Sequence, residues 1–335
     1  MRPTTHLARL SLAMTLGFRA VAASSPGNDD DDDDTPLPLV IWHGLGDAFN
    51  GEGLQQVGAL AEAVNPGTFV YVISLGGADA NADRSATFLG NVTEQVETVC
   101  SLLGSHPILS TAPAIDALGF SQGGQFLRGY VERCNDPPVR SLVTYGSQHN
   151  GITEFRSCGA TDWLCRGAMA LLRYNTFGSF VQGRLVPAQY YRDPTSQAAY
   201  DDYLAGSHFL ADINNEGLRG ADHRRNATYA ANMARLENFV MYKFDDDSMV
   251  VPPLSSWFAE VNGTDVTPLR ERALYKEDWL GLAAIDAKGG LRFRSVPGEH
   301  MRIDDKSLNE TFSSFFGPFG RSFEPEKPVA FQDEL

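Results

Sequence analysis

Residues 119–123 read Gly119-Phe120-Ser121-Gln122-Gly123, a G-x-S-x-G pattern that offers a serine hydroxyl as a nucleophile towards an acyl carbon. The pattern demands a strand, a tight turn that puts the serine at strained backbone angles, and then a helix. Glycines two residues to either side remove side chains that would collide across that turn. A serine hydroxyl is a poor nucleophile until a base takes its proton, so an imidazole and a carboxylate must be found elsewhere. Behind a serine on such a turn, the partners follow in the order Asp, then His. Of the seven histidines, His6, His43 and His106 precede the serine, and His149, His208 and His223 precede the best acid candidates. His300 remains, in the loop Val296-Pro297-Gly298-Glu299-His300 just beyond an apolar run. The acid is expected just past the preceding strand, in Asp245-Asp246-Asp247-Ser248-Met249-Val250-Val251-Pro252. Spacing does not separate three consecutive aspartates; Asp247 is favoured because an Asp just before the apolar Val-Val-Pro turns back towards the site. Its role would be to hold the tautomer of His300 and stabilise the imidazolium. The backbone N–H of Gln122 is one expected oxyanion donor. The second is expected from His43-Gly44-Leu45-Gly46-Asp47, most naturally at Leu45. Trp42 and His43 read as packing and loop-fixing residues.

These groups need elements to carry them. Leu37 to Trp42, Phe69 to Leu75, Ala114 to Phe120, Arg140 to Tyr145, Phe239 to Phe244 and Leu291 to Val296 are short apolar runs of strand length. Between them, Val57 to Val64, Ser85 to Leu103 and Gln122 to Cys134 have helical spacing, with Phe88, Leu89, Val92, Val96, Val99 and Leu103 on one face of the second. The alternation predicts an α/β protein with a mostly parallel sheet and helices on both faces, and the serine turn makes the α/β-hydrolase type the expected form. From about 151 to 232 the rhythm breaks, which predicts a lid-like insertion over the strand ends, partly helical at Trp163 to Tyr174. Leu308 to Phe319 reads as a closing helix with Phe312, Phe315, Phe316 and Phe319 in the core.

The 335 residues are 43% apolar and carry a net charge of −15, of which Asp29 to Asp34 supply six negatives. That balance excludes a polyanionic nucleic-acid partner, which needs clustered Lys and Arg to release counterions. Residues 1–23 read as a signal peptide: Arg2 and Arg9, then the apolar Leu10 to Phe18, then Ala20-Val21-Ala22. Residues 24–36 follow as an acidic linker, 37–319 as the catalytic domain and 320–335 as a tail. No later run reaches the ~20 apolar residues of a membrane span, so no transmembrane segment is expected. Four cysteines suit an oxidising compartment, and the pairing favoured is Cys100–Cys134 and Cys158–Cys165. No spacing suits a metal, and no cofactor is expected. Asn91, Asn226, Asn262 and Asn309 stand in glycosylation sequons.

Longer segments carry a family resemblance. Leu39 to Asp47, Leu118 to Arg128, Gly146 to Gly151, Phe209 to Asn214 and Lys243 to Val250 together resemble the palmitoyl-protein thioesterases, colinearly from about Pro36 to Phe319. The resemblance implies removal of long-chain acyl groups from cysteine thioesters, so the partners would be S-palmitoylated proteins or peptides and palmitoyl-CoA-like thioesters. It places the triad on Ser121, Asp247 and His300, supplying the choice among the three aspartates, and matches both disulfide pairs. Tyr191 stands where the family has a groove-lining Trp, and Met249 and Val250 would line the same acyl groove. An adjacent cysteine pair of animal members is replaced here by Ala48 and Phe49. The implied compartment is lysosomal, vacuolar or extracellular. Gln332-Asp333-Glu334-Leu335 resembles an ER-retrieval tail and offers the ER lumen as the alternative. A lipase or carboxylesterase acting on oxygen esters would use the same triad, and a non-catalytic binding protein would be expected to lack part of it.

Overall fold

The structure is a computed structural model in which residues 34–155, 170, 175–216 and 225–327 are described. The signal peptide, most of the acidic linker, Cys158 and Cys165, the Trp163–Tyr174 segment apart from Ala170, and the retrieval-like tail lie outside those residues.

Strands β1 (Leu39–Trp42), β2 (Val70–Val72), β3 (Ile115–Phe120), β4 (Val139–Tyr145), β5 (Asn238–Phe244) and β8 (Leu291–Val296) form one sheet. Its order is β2-β1-β3-β4-β5-β8, and every neighbouring pair is parallel. Strands β6 (Glu260–Asn262) and β7 (Asp265–Thr267) make a separate antiparallel hairpin. Parallel strands covered on both faces read as continuous apolar runs, and here alternate residues feed two cores. Val40, Trp42, Ile115, Ala117, Phe239 and Met241 face one. Leu39, Ile41, Leu118, Phe120, Val240, Tyr242 and Phe244 face the other.

Helices fill both faces. Helix α1 (Glu52–Val64) begins earlier than its apolar spacing suggests. The single helix expected over Ser85 to Leu103 is two, α2 (Ala80–Ala86) and α3 (Val92–Ser105). Gly90, at φ +137°, breaks the run, and Asn91 caps α3 by accepting from the Thr93 and Glu94 amides. Leu89 therefore leaves the apolar face and is 40% exposed. Helix α4 (Gln122–Arg133) follows β3. The insertion contributes α5 (Ser179–Gln182), α6 (Gln197–Gly206), α7 (Leu210–Ile213) and α8 (Ala227–Met233), with no strand among its described residues. Beyond β7 come α9 (Ala273–Lys276), α10 (Leu282–Ala287) and α11 (Asp305–Phe315). Phe312, Phe315 and Phe316 are core residues as expected, but the helix stops at Phe315 and Phe319 is 52% exposed. No described helix is long and apolar enough to cross a membrane. Asn226, Asn262 and Asn309 are exposed and Asn91 is half-buried.

Buried charges tie the insertion to the sheet. Arg128 of α4 donates to Glu132 (2.8 Å), to the Ile213 carbonyl (3.0 Å) and to the side chain of Asn214 (2.8 Å). Arg192 and Arg272 converge on Glu216. Burial opposes charge on Glu216, yet the two guanidinium groups and the Tyr203 hydroxyl hold its carboxyl below the ordinary range.

Cys100 of α3 and Cys134, which caps the end of α4, form a disulfide with Cα atoms 6.0 Å apart across 34 residues of sequence. It joins two helices packed on the same face of the sheet. Cross-linking a loop of that length restricts the unfolded chain, so Cys100→Ala/Cys134→Ala should lose about 2–4 kcal/mol of unfolding free energy. Urea unfolding of the non-reduced proteins measures this; an unchanged midpoint would show that the bond constrains nothing.

Candidate active site

Strand β3 runs through the middle of the sheet between β1 and β4, and its last residue, Phe120, delivers Ser121 at the strand's C-terminal edge. Ser121 has φ 52° and ψ −125°, and its amide donates to the Tyr145 carbonyl at 2.8 Å. Helix α4 starts at the next residue. A Cβ on Gly119 would lie 2.1 Å from the Gly124 Cα, and one on Gly123 would lie 2.2 Å from the Trp42 carbonyl oxygen. Both contacts are with backbone, so the spacing of glycines around the serine is a steric requirement of the turn.

The serine hydroxyl is 3.0 Å from His300 Nε2, and His300 Nδ1 is 2.7 Å from Asp247 Oδ2. A carboxylate oxygen only accepts, so Nδ1–H donates to Asp247 and leaves the Nε2 lone pair to accept from Ser121. Asp247 sits at the turn after β5. Its other oxygen accepts from the Met249 and Val250 amides, both at 2.8 Å. Asp245 and Asp246 are exposed, and Asp245 takes Lys243 at 2.6 Å. The turn after β5 thus separates three adjacent aspartates: one is directed inward by two backbone N–H groups and two stay with solvent. The His300 ring meets Phe244 edge-on with centroids 5.7 Å apart. It also packs over Gly146, where a Cβ would come within 2.9 Å of His300 Cε1. Gly146, at φ +56° after β4, is a site residue that motif spacing does not single out.

The loop after β1 lies beside Ser121, since a Cβ on Gly44 would be 3.1 Å from Ser121 Cβ. Leu45 and Ser121 line the same cleft. Gln122 opens α4, so its N–H has no carbonyl partner one turn back and is oriented at the helix N-terminus. Trp42 packs edge-on to Phe126 with centroids 5.5 Å apart. His43 is buried and donates through Nε2 to Asp83 at 2.9 Å. His149, excluded by chain order, is fully buried, and burial together with the Arg128 charge holds its imidazole far below the ordinary range.

A cleft of about 390 Å³ opens on Ser121 and His300. Leu54, Val57 and Leu60 of α1 line it together with Met249, Met301, Ile303 and Leu308. Of the three residues expected to line an acyl groove, only Met249 lines this cleft. Val250 is 2% exposed and packs in the core, because donating its amide to Asp247 turns its side chain inward. Tyr191 stacks on Phe155 (4.9 Å) and leans on Phe177 (5.8 Å) within the insertion. Leu54, Val57 and Leu60 share one helical face, and in the sequence such an amphipathic stripe reads equally as core.

The family model described as palmitoyl protein thioesterase matches residues 38–300. Palmitoyl-protein thioesterase 1 of Caenorhabditis elegans is 37% identical over 285 residues, 84% of this chain and 92% of that relative. A palmitoyl-protein thioesterase-dolichyl pyrophosphate phosphatase fusion of Schizosaccharomyces pombe is 35% identical over 80% of this chain and 41% of its own greater length. A lysosomal thioesterase of Homo sapiens is 26% identical over 76% of this chain and 78% of its own. The chain belongs to the palmitoyl-protein thioesterase family, a family of thioester hydrolases.

Proposed function

We propose that this protein hydrolyses long-chain acyl thioesters of protein cysteines through an acyl-enzyme on Ser121, with His300 as base and Asp247 as its orienting acid. The observation that carries the reading is the continuous hydrogen-bonded line from Asp247 Oδ2 through both His300 nitrogens to Ser121 Oγ, at 2.7 and 3.0 Å. His300 Nε2 accepts the serine proton as Oγ attacks the thioester carbonyl. The oxygen that gains charge sits against the Gln122 and Leu45 amides, each such donor being worth roughly 3–4 kcal/mol in the transition state. Collapse of the intermediate breaks the C–S bond, and His300 returns the proton to the departing thiolate. Water, deprotonated by the same imidazole, then attacks the acyl-serine; the acyl–Oγ bond breaks, His300 returns the proton to Ser121 Oγ, and the fatty acid leaves.

The apolar lining of the cleft beside Ser121, Met249 among it, supports a long acyl group as the substrate's apolar part. The thioesterase relatives support sulfur over oxygen in the bond cleaved. A disulfide among the described residues and lysosomal relatives support an oxidising, secretory or lysosome-like compartment.

Ser121→Ala should lose thioesterase turnover by about 10⁴-fold or more, along with covalent labelling by a fluorophosphonate probe. Labelling that survives the substitution would point to a different nucleophile. Asp247→Asn should keep the fold but lower kcat about 10³–10⁴-fold, because an amide presents a donor to Nδ1 and favours the wrong tautomer. A variant within tenfold of the parent would remove Asp247 from the relay. Rates on acyl-cysteine thioesters from C8 to C16, beside matched oxygen esters, test the substrate. Each methylene buried adds about 0.8 kcal/mol, so kcat/KM should climb with chain length until the cleft is filled. A flat series, or faster cleavage of the oxygen esters, would favour a general esterase.

A further inference from the structure

Helix α2 is short, and Asp83 is its one buried residue, 1% exposed. A buried carboxylate is costly unless every lone pair finds a donor. Asp83 Oδ2 accepts from His43 Nε2 at 2.9 Å and from the Phe49 amide at 2.7 Å, while Oδ1 accepts from the Leu75 amide at 2.7 Å. Two of these donors bracket the loop that carries Leu45, and the third belongs to the chain just beyond β2. Burial pushes the Asp83 carboxyl up, but the His43 and backbone hydrogen bonds outweigh it and hold it below the ordinary range, so the side chain stays an acceptor.

One turn on, Thr87 is 5% exposed. Its hydroxyl donates to the Arg84 carbonyl at 2.7 Å and accepts from the Gly46 amide at 2.9 Å, which uses its proton and fixes its rotor. Gly46 is the residue after Leu45. The Thr87 carbonyl accepts from Gln122 Nε2 at 3.2 Å, and Gln122 Oε1 accepts from the Tyr190 hydroxyl at 3.3 Å. The helix seats this closely because a Cβ on Gly76 would lie 2.3 Å from the Asp83 amide nitrogen. One short segment therefore holds the chain on both sides of Leu45 and the side chain of Gln122, the two residues whose amides face the developing oxyanion.

We propose that Asp83 and Thr87 are positioning residues of the acyl-transfer centre, setting the Leu45 amide against the Gln122 amide without touching the substrate. The proposal rests on the assignment of those two amides under the proposed function. Oxyanion stabilisation depends on donors already in place when charge develops, so a shift of a few tenths of an ångström in the Leu45 loop is felt in the transition state and little in substrate binding.

The test uses the full chain with Thr87→Val, Thr87→Ser, Asp83→Asn and Ser121→Ala, each assayed for kcat and KM on a long-chain acyl thioester and for thermal unfolding. Valine keeps the shape of threonine and removes the acceptor for the Gly46 amide. Thr87→Val should lower kcat about 10- to 100-fold with KM within about twofold, and Thr87→Ser should recover to within about threefold of the parent. Asp83→Asn should fall in the same direction; if it does not accumulate as folded protein, the threonine pair decides. The pH profile of kcat should keep its shape in Thr87→Val, because the relay is untouched. A parental kcat in folded Thr87→Val, a loss carried by KM, or a serine variant as poor as valine would overturn the positioning role. Turnover by Ser121→Ala would instead overturn the nucleophile assignment itself, so the two failures are distinguishable.

Discussion

The chain reverses from a central strand into a helix at a single residue, and the rest of the site is arranged around that turn. Ser121 holds φ 52° with a side chain attached, a conformation that costs on the order of 1–3 kcal/mol and persists only where neighbours over-determine it. The neighbours are visible. Strand β3 is paired on both sides, the Ser121 amide is bound to Tyr145 of β4, and α4 is pressed against the β1 loop so closely that Gly123 has no room for a methyl group. The same closeness brings the β1 loop beside the serine. A steric constraint on the backbone thus brings Ser121, the start of α4 and the β1 loop together in one operation.

Asp247 and His300 reach this point from the two strands beyond β4 in the sheet. Strands β5 and β8 are neighbours, so the turn after one carries Asp247 and the loop after the other carries His300 on the same edge. Parallel strands end on one side of the sheet, and ligands in such sheets collect there. The carboxylate is directed by its own following amides and the imidazole by the carboxylate, with Phe244 and the bare backbone of Gly146 limiting the ring's movement.

Charged groups inside the molecule act on geometry more than on net stability. Arg128 fastens α4 to the insertion, Arg192 and Arg272 clasp Glu216, and Asp83 gathers the β1 loop. A buried ion pair often contributes little compared with apolar residues of the same volume, but losing one partner leaves an uncompensated charge. Such contacts admit few alternative arrangements of the segments they join. The cleft contrasts with this: it is lined mostly by apolar side chains, from α1 and from Met301, Ile303 and Leu308.

The amino-acid sequence alone determined the features that depend on neighbouring residues. The buried runs Ile115–Phe120 and Phe239–Phe244 are strands because apolar stretches of that length between turns have few other uses, and the glycine spacing around Ser121 announces its turn. His300 was identifiable because connections in this kind of sheet impose an order on the chain. The tertiary structure decided what depends on distance. It split the Ser85–Leu103 helix at Gly90, where an asparagine cap outweighed a continuous apolar stripe. It left Val250 and Tyr191 out of the lining of the cleft beside Ser121 and brought α1 to it, and it left Phe319 in solvent. It also paired His43 with Asp83 and Gly46 with Thr87, residues 40 and 41 positions apart. Periodicity and turn chemistry are local, so residue types reveal them. Which polar side chains meet is set by how strands, crossovers and insertion stack in space, and no spacing along the chain encodes it.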